Sequence, residues 1–177
     1  MRQIPFFVML GFPGSGKTTL GNAFQQKHPE YQQIFVFDFF LKNNLIDRQG
    51  IVQDPDYVQK GHRFLYQSLK NIDQPTILEL GTSIPEFNCQ ELRKLKNNQP
   101  INLRVLFCFC PAKLALERHL KRHREVPYRM EHLENRYQRD FPGEYYRHCQ
   151  KYDLPYQQFD MEKPIEENLA NWEKLLN

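Results

Sequence analysis

The sequence predicts a single α/β domain over residues 1–177 with a parallel sheet, and three observations carry that expectation. Five short apolar runs, residues 6–10, 33–37, 76–80, 104–109 and 157–160, are continuous rather than alternating, the pattern of strands buried on both faces. Helix-like stretches lie between them, where parallel strands need crossovers. Residues Gly11 to Thr18 read GFPGSGKT and fit G-x-x-x-x-G-K-S/T directly between the first run and a helix-like segment, the context in which this pattern binds nucleotide phosphates.

The first run follows a short charged start but is too short for a secretory h-region, so it reads as a core strand. In the loop after it, the glycines let successive backbone N–H groups point at the α- and β-phosphates. Lys17 would reach the β- and γ-phosphates and the Thr18 hydroxyl would ligate Mg²⁺. Gly11, Pro13, Gly14, Ser15, Gly16, Lys17, Thr18 and Thr19 are therefore the candidate nucleotide-binding residues. A helix over residues 18–27 turns Leu20, Ala23 and Phe24 inward and ends at His28-Pro29.

Asp38 follows the second run immediately, which puts its carboxylate on the C-terminal rim of the sheet beside the phosphate loop. There it can orient or deprotonate a substrate hydroxyl for in-line attack on the γ-phosphorus, or it is a helix cap or turn residue. A helix over residues 56–69 carries Val58, Leu65 and Leu69 on one stripe, with His62 and Arg63 either reaching an acceptor or lying on the surface. Glu79, near the end of the third run, is a second rim acid for Mg²⁺, for the acceptor or for a structural hydrogen bond. Gly81-Thr82-Ser83 after it leaves room for an acceptor and offers hydroxyls.

After the fourth run, Pro111 suits the first position of a helix reaching about Arg124. Arg118 and Arg122 are four residues apart on one face and can neutralise a transferring phosphoryl group, or belong to a solvated basic face. Lys113, Glu117 and Lys121 alternate in sign on the adjoining row, as surface pairs do. Met130, Leu133, Tyr137 and Phe141 make a later stripe that stops at Pro142-Gly143, and a helix over residues 166–176 follows the fifth run.

A net charge of +3 demands no polyanionic partner; a nucleic-acid acceptor is permitted but not required. Cys89, Cys108, Cys110 and Cys149 show no C-x-x-C spacing, which suits reduced thiols in the cytoplasm. No run approaches membrane-spanning length. Asp47-Arg48-Gln49-Gly50 reads as a turn, since no convincing strand precedes it and no N-K-x-D signature accompanies it. His119 and His123 share helical spacing without a third metal ligand.

Together these residues resemble the P-loop small-molecule and nucleotide kinases over essentially the whole chain. GFPGSGKTTL, the strand ending in Asp38, ILELGT, RVLFCFCP with ALERHLKRHREVP, and YQQFDMEKPIEENLANWEKLL occur there in this order. The loop is similar to that of zeta-toxin-like kinases, whereas Arg118, Arg122 and Val126-Pro127 are similar to the lid of polynucleotide-kinase-like enzymes. The resemblance implies a P-loop NTPase fold with three α/β/α layers, sheet order 2-3-1-4-5, a helical arginine-bearing lid over residues 118–146 and an adenine-facing loop over residues 160–164. It also implies that Asp38 is the acceptor-side carboxylate, while Glu79 stands where many of these kinases carry Asp. The expected activity is ATP- and Mg²⁺-dependent phosphorylation of a hydroxyl on a small molecule, a nucleoside or nucleotide, or a nucleotide sugar, by a monomer or dimer. Lys17, Asp38, Arg118 and Arg122 would be catalytic, Asp38, Glu79 and Arg63 would meet the acceptor, and Thr18 and Glu79 the metal. The alternative is a nucleotide-dependent switch that hydrolyses NTP slowly without an acceptor.

Overall fold

The computed structural model describes residues 3–45, 57–122 and 140–176. Strands β1 (Ile4–Leu10), β2 (Gln32–Phe35), β3 (Thr76–Glu79), β4 (Ile101–Phe109) and β5 (Tyr156–Asp160) form one sheet in the order β2-β3-β1-β4-β5. Every pairing is parallel, so all five C-terminal ends share one rim. This is the expected order, and it makes β1, which feeds the phosphate loop, the central strand.

Side chains of β1 alternate between two cores, as the pleat dictates. Phe6, Val8 and Leu10 pack with Leu65 of α3 (Tyr57–Ser68), Leu92 of α4 (Pro85–Asn98) and Tyr145 of α6 (Phe141–Lys151). Phe7 and Met9 face the other layer, built from α1 (Lys17–Lys27) and α7 (Ile165–Glu173). There the rings of Phe24 and Trp172 stack 4.0 Å apart, and both side chains are fully buried. The remaining helices, α2 (Val36–Lys42) and α5 (Ala112–Arg122), leave the rim after β2 and β4.

Several expectations change. The second strand ends at Phe35 rather than at residue 37, because its pairing with β3 stops at Phe35↔Glu79 and an unpaired extension would leave backbone groups unsatisfied. The chain coils at once into α2, so Asp38 lies in that helix's first turn instead of directly at a strand end. Phe141-Pro142-Gly143 opens α6 instead of stopping a stripe: Asp140 caps the helix by accepting a hydrogen bond from the Gly143 N–H at 3.2 Å, with proline in its first turn. Residues 130–137 of that stripe, residues 46–56, and residues 123–139 of the expected lid lie outside the described residues. Helix α4 had no place in the sequence reading, and β4 begins three residues earlier than its apolar run. Pro111 precedes α5 rather than opening it, accepting the Ala115 N–H at 3.0 Å.

Candidate functional site

The phosphate loop is shaped by close packing on both sides. Gly14 and Gly16 adopt φ of 80° and 98°, left-handed conformations that glycine enters without steric cost. A Cβ on Gly11 would stand 2.5 Å from the Cys108 carbonyl oxygen of β4, and one on Gly14 would collide with the Ala115 carbonyl oxygen of α5. The second contact matters for chemistry, because it seats α5 directly against the loop. Phe12 is buried with its ring 5.1 Å from that of Phe141, tying the loop's other flank to α6.

Lys17 is buried, and its Nζ donates to the carbonyl oxygens of Gly11 and Phe12, both at 2.9 Å. Desolvation holds its ammonium below the usual lysine value of 10.5, with the Glu79 carboxylate pulling the other way. The Thr18 hydroxyl donates to Glu79 Oε1 at 2.9 Å, while Glu79 Oε2 is buried without a hydrogen-bond partner. Two hard oxygen ligands thus converge at the end of β3. They fit Mg²⁺, which is commonly bound through one or two carboxylates plus substrate phosphates. Among the described residues no group of three His, Cys, Asp or Glu side chains could hold a metal by itself. Cys108, behind the loop, is pushed up to about 12 by burial and is inert as a nucleophile.

Arg118 and Arg122 lie together on the opposite wall. Arg122 donates to Thr19 Oγ1 at 3.0 Å, and Arg118 reaches the Met161 carbonyl oxygen at 3.4 Å. With Gly14, Gly16, Lys163 and Asn168 they line a cleft of about 390 Å³ between the phosphate loop, α5 and the turn after β5. Asn168 is buried and donates to the Asp160 carbonyl oxygen at 2.8 Å, bracing that turn from α7. Lys121, read from sequence as part of a surface row, also lines the cleft. Lys163 falls in the loop over residues 160–164 that the resemblance implied, whereas Asn168, on α7, was missed because nothing in its local pattern marks it.

On the β2–β3 side of the rim, Asp38 and Arg63 are both exposed. The Arg63 guanidinium carbon lies 5.9 Å from the centroid of Phe87 of α4. The loop after β3 is strained and braced. Ile84 adopts φ of 45°, an outlier for a β-branched residue. The preceding carbonyl of Ser83 accepts from Asn88 Nδ2 at 2.9 Å and from the Tyr145 hydroxyl at 3.1 Å, and Asn88 Oδ1 accepts from the Tyr66 hydroxyl at 3.0 Å. This buried triad joins α3, α4 and α6, and no sequence signal announces it because its members lie 22 and 57 residues apart.

No family model and no curated protein matches this chain by sequence. Solved structures do. The chain is similar to a gluconokinase from Sinorhizobium meliloti 1021, at 18% identity, 99% of this chain, 97% of that chain and a TM-score of 0.66. It is similar to shikimate kinase from Acinetobacter baumannii in complex with shikimate, at 14% identity, 99% and 94% coverage and a TM-score of 0.67. A third likeness is to deoxyadenosine kinase from M. mycoides, at 16% identity, 98% coverage of both chains and a TM-score of 0.56.

Proposed function

We propose that the chain, whose fold is shared over nearly its whole length with these kinase structures, is a kinase that transfers the ATP γ-phosphoryl group to a hydroxyl of a small-molecule, nucleoside or nucleotide, or nucleotide-sugar acceptor. One observation carries the reading: Lys17, the Thr18–Glu79 oxygen pair, Arg118 and Arg122 gather around one glycine-rich loop, although they come from three separate elements, α1, β3 and α5.

In this reading the loop amides and Lys17 hold the phosphates in place. Thr18 and Glu79 would hold Mg²⁺, which supplies charge neutralisation across the β- and γ-phosphates. Arg118 and Arg122 face the charge spread over the transferring group. Asp38 orients the acceptor hydroxyl; its oxygen bonds to the γ-phosphorus as the bond to the ADP oxygen breaks, and the hydroxyl proton passes to the Asp38 carboxylate and then to solvent. Arg63 and Glu79 flank the acceptor. Four buried cysteines without disulfides suit a cytoplasmic setting, and among the described residues no helix is long and apolar enough to cross a membrane.

ATP consumption measured with and without a panel of hydroxyl acceptors tests the proposal. Stimulation by one acceptor class, dependent on Mg²⁺, is the expected result. Slow hydrolysis unchanged by every acceptor would replace the kinase with a nucleotide-dependent switch.

A further inference from the structure

Few large apolar side chains are exposed among the described residues, and two of them stand on the acceptor side of the rim. Phe37 is 41% exposed on α2, beside Asp38, and Phe64 is 45% exposed on α3. Exposed phenylalanine so close to a candidate catalytic carboxylate needs a reason, because water is a poor environment for an aromatic face. The rings are also organised. Phe64 leans on Phe39 with centroids 5.6 Å apart at 48°, and the Arg63 guanidinium, from the next residue, covers the ring of Phe87 at 5.9 Å. One aromatic pair therefore joins α3 to the helix that carries Asp38, and one guanidinium over an aromatic ring joins α3 to α4.

From this arrangement we infer, resting on the kinase reading above, that the acceptor is a nucleoside whose base stacks on the Phe39–Phe64 pair and against Arg63 while its sugar hydroxyl faces Asp38. Aromatic faces and guanidinium planes are the surfaces on which bases stack, and they tolerate any base because each has a π-face. A polyol or hydroxy acid has no flat face to match them. A carboxylate-bearing acceptor calls for converging cations, yet Arg63 is the one cation stacked among these rings among the described residues, and Asp38 stands beside them.

Transfer of label from γ-labelled ATP to nucleosides, to 5′-hydroxyl oligonucleotides and to non-aromatic polyols and hydroxy acids tests the inference, alongside equilibrium binding of the same nucleosides. Nucleosides should give the highest kcat/KM. In Phe64→Ala their KM and their dissociation constant should both rise about 10-fold or more, the scale of one lost stacking face, with kcat little changed and with recovery in Phe64→Trp. A merely structural Phe64 would instead lower the melting temperature and leave nucleoside affinity alone. Preference for polyols, hydroxy acids or oligonucleotides, or nucleoside binding indifferent to Phe64→Ala, overturns the inference while the kinase reading stands. Nucleoside binding that depends on Phe64 without any transfer to any acceptor would uphold the stacking site and overturn the kinase reading.

Discussion

The two sides of the sheet's C-terminal rim are built by different means. On the β1–β4–β5 side the machinery is largely backbone: two left-handed glycines, carbonyls that hold Lys17, and close approaches at Gly11 and Gly14 that admit no side chain. On the β2–β3 side it is largely side chain: exposed Phe37 and Phe64, Arg63 over Phe87, and a strained Ile84 braced by Tyr66, Asn88 and Tyr145. In the proposed function a triphosphate presents the same oxygens in every reaction, so a contiguous backbone cradle would serve it. An acceptor is recognised by shape and functional groups, which side chains from several helices can vary without disturbing the cradle.

Breaking the backbone-built side should cost most. Lys17→Ala removes the point charge that amides cannot replace and should lower turnover by about 10³-fold with weakened ATP binding. Steady-state turnover and nucleotide titration check this, and near-normal turnover would sink the phosphate-loop assignment.

On the other side, Asp38→Asn should keep ATP·Mg²⁺ affinity and melting temperature yet lose acceptor phosphorylation by about 10²-fold, since asparagine keeps size and capping ability but not charge. Retained phosphorylation would shift the catalytic carboxylate to Glu79.

The arginines should reveal whether α5 brings both of its charges to one phosphoryl group. Arg118→Ala and Arg122→Ala should each lower kcat by roughly 10-fold with less change in KM for ATP, and the double variant should lose less than the product of the two. Strictly multiplicative losses would assign them separate tasks.

The smallest effect is a matter of positioning. Asn88→Leu leaves the Tyr66 hydroxyl without its acceptor and removes one of the two donors to the Ser83 carbonyl, for a stability loss of about 1–3 kcal/mol. It should raise acceptor KM several-fold and leave nucleotide affinity intact. An equal change in both affinities would mean that the triad supports the sheet as a whole.

The same division separates what could be read in advance from what could not. GFPGSGKT is contiguous, and its glycines are needed for their own backbone angles, so the loop, Lys17 and Thr18 were legible in eight residues. The apolar runs marked the inner strands β1, β3 and β4, because burial on both faces leaves a signal that does not depend on distant partners, whereas the edge strands β2 and β5 are only partly buried. Arg118 and Arg122 were legible as one face, because helical periodicity is local. The end of β2 was not legible: phenylalanine favours strands, and only the extent of β3 beside it decides where pairing stops. Nor was α4, whose buried Cys89, Leu92 and Leu95 are spaced through a largely polar segment and gain meaning from the layer they pack on.

By itself, then, the sequence determined the glycine loop proposed to cradle phosphates, the parallel α/β character and the candidate charges, since each depends on residues within a few positions of one another. Only the tertiary structure decided the remainder: that Asp38 sits on a helix, that Glu79 meets Thr18, and that Arg63, Phe64 and Phe87 stand as flat surfaces beside the rim. Those contacts join segments tens of residues apart, and their geometry is set by how helices pack across a shared sheet, which no local pattern encodes.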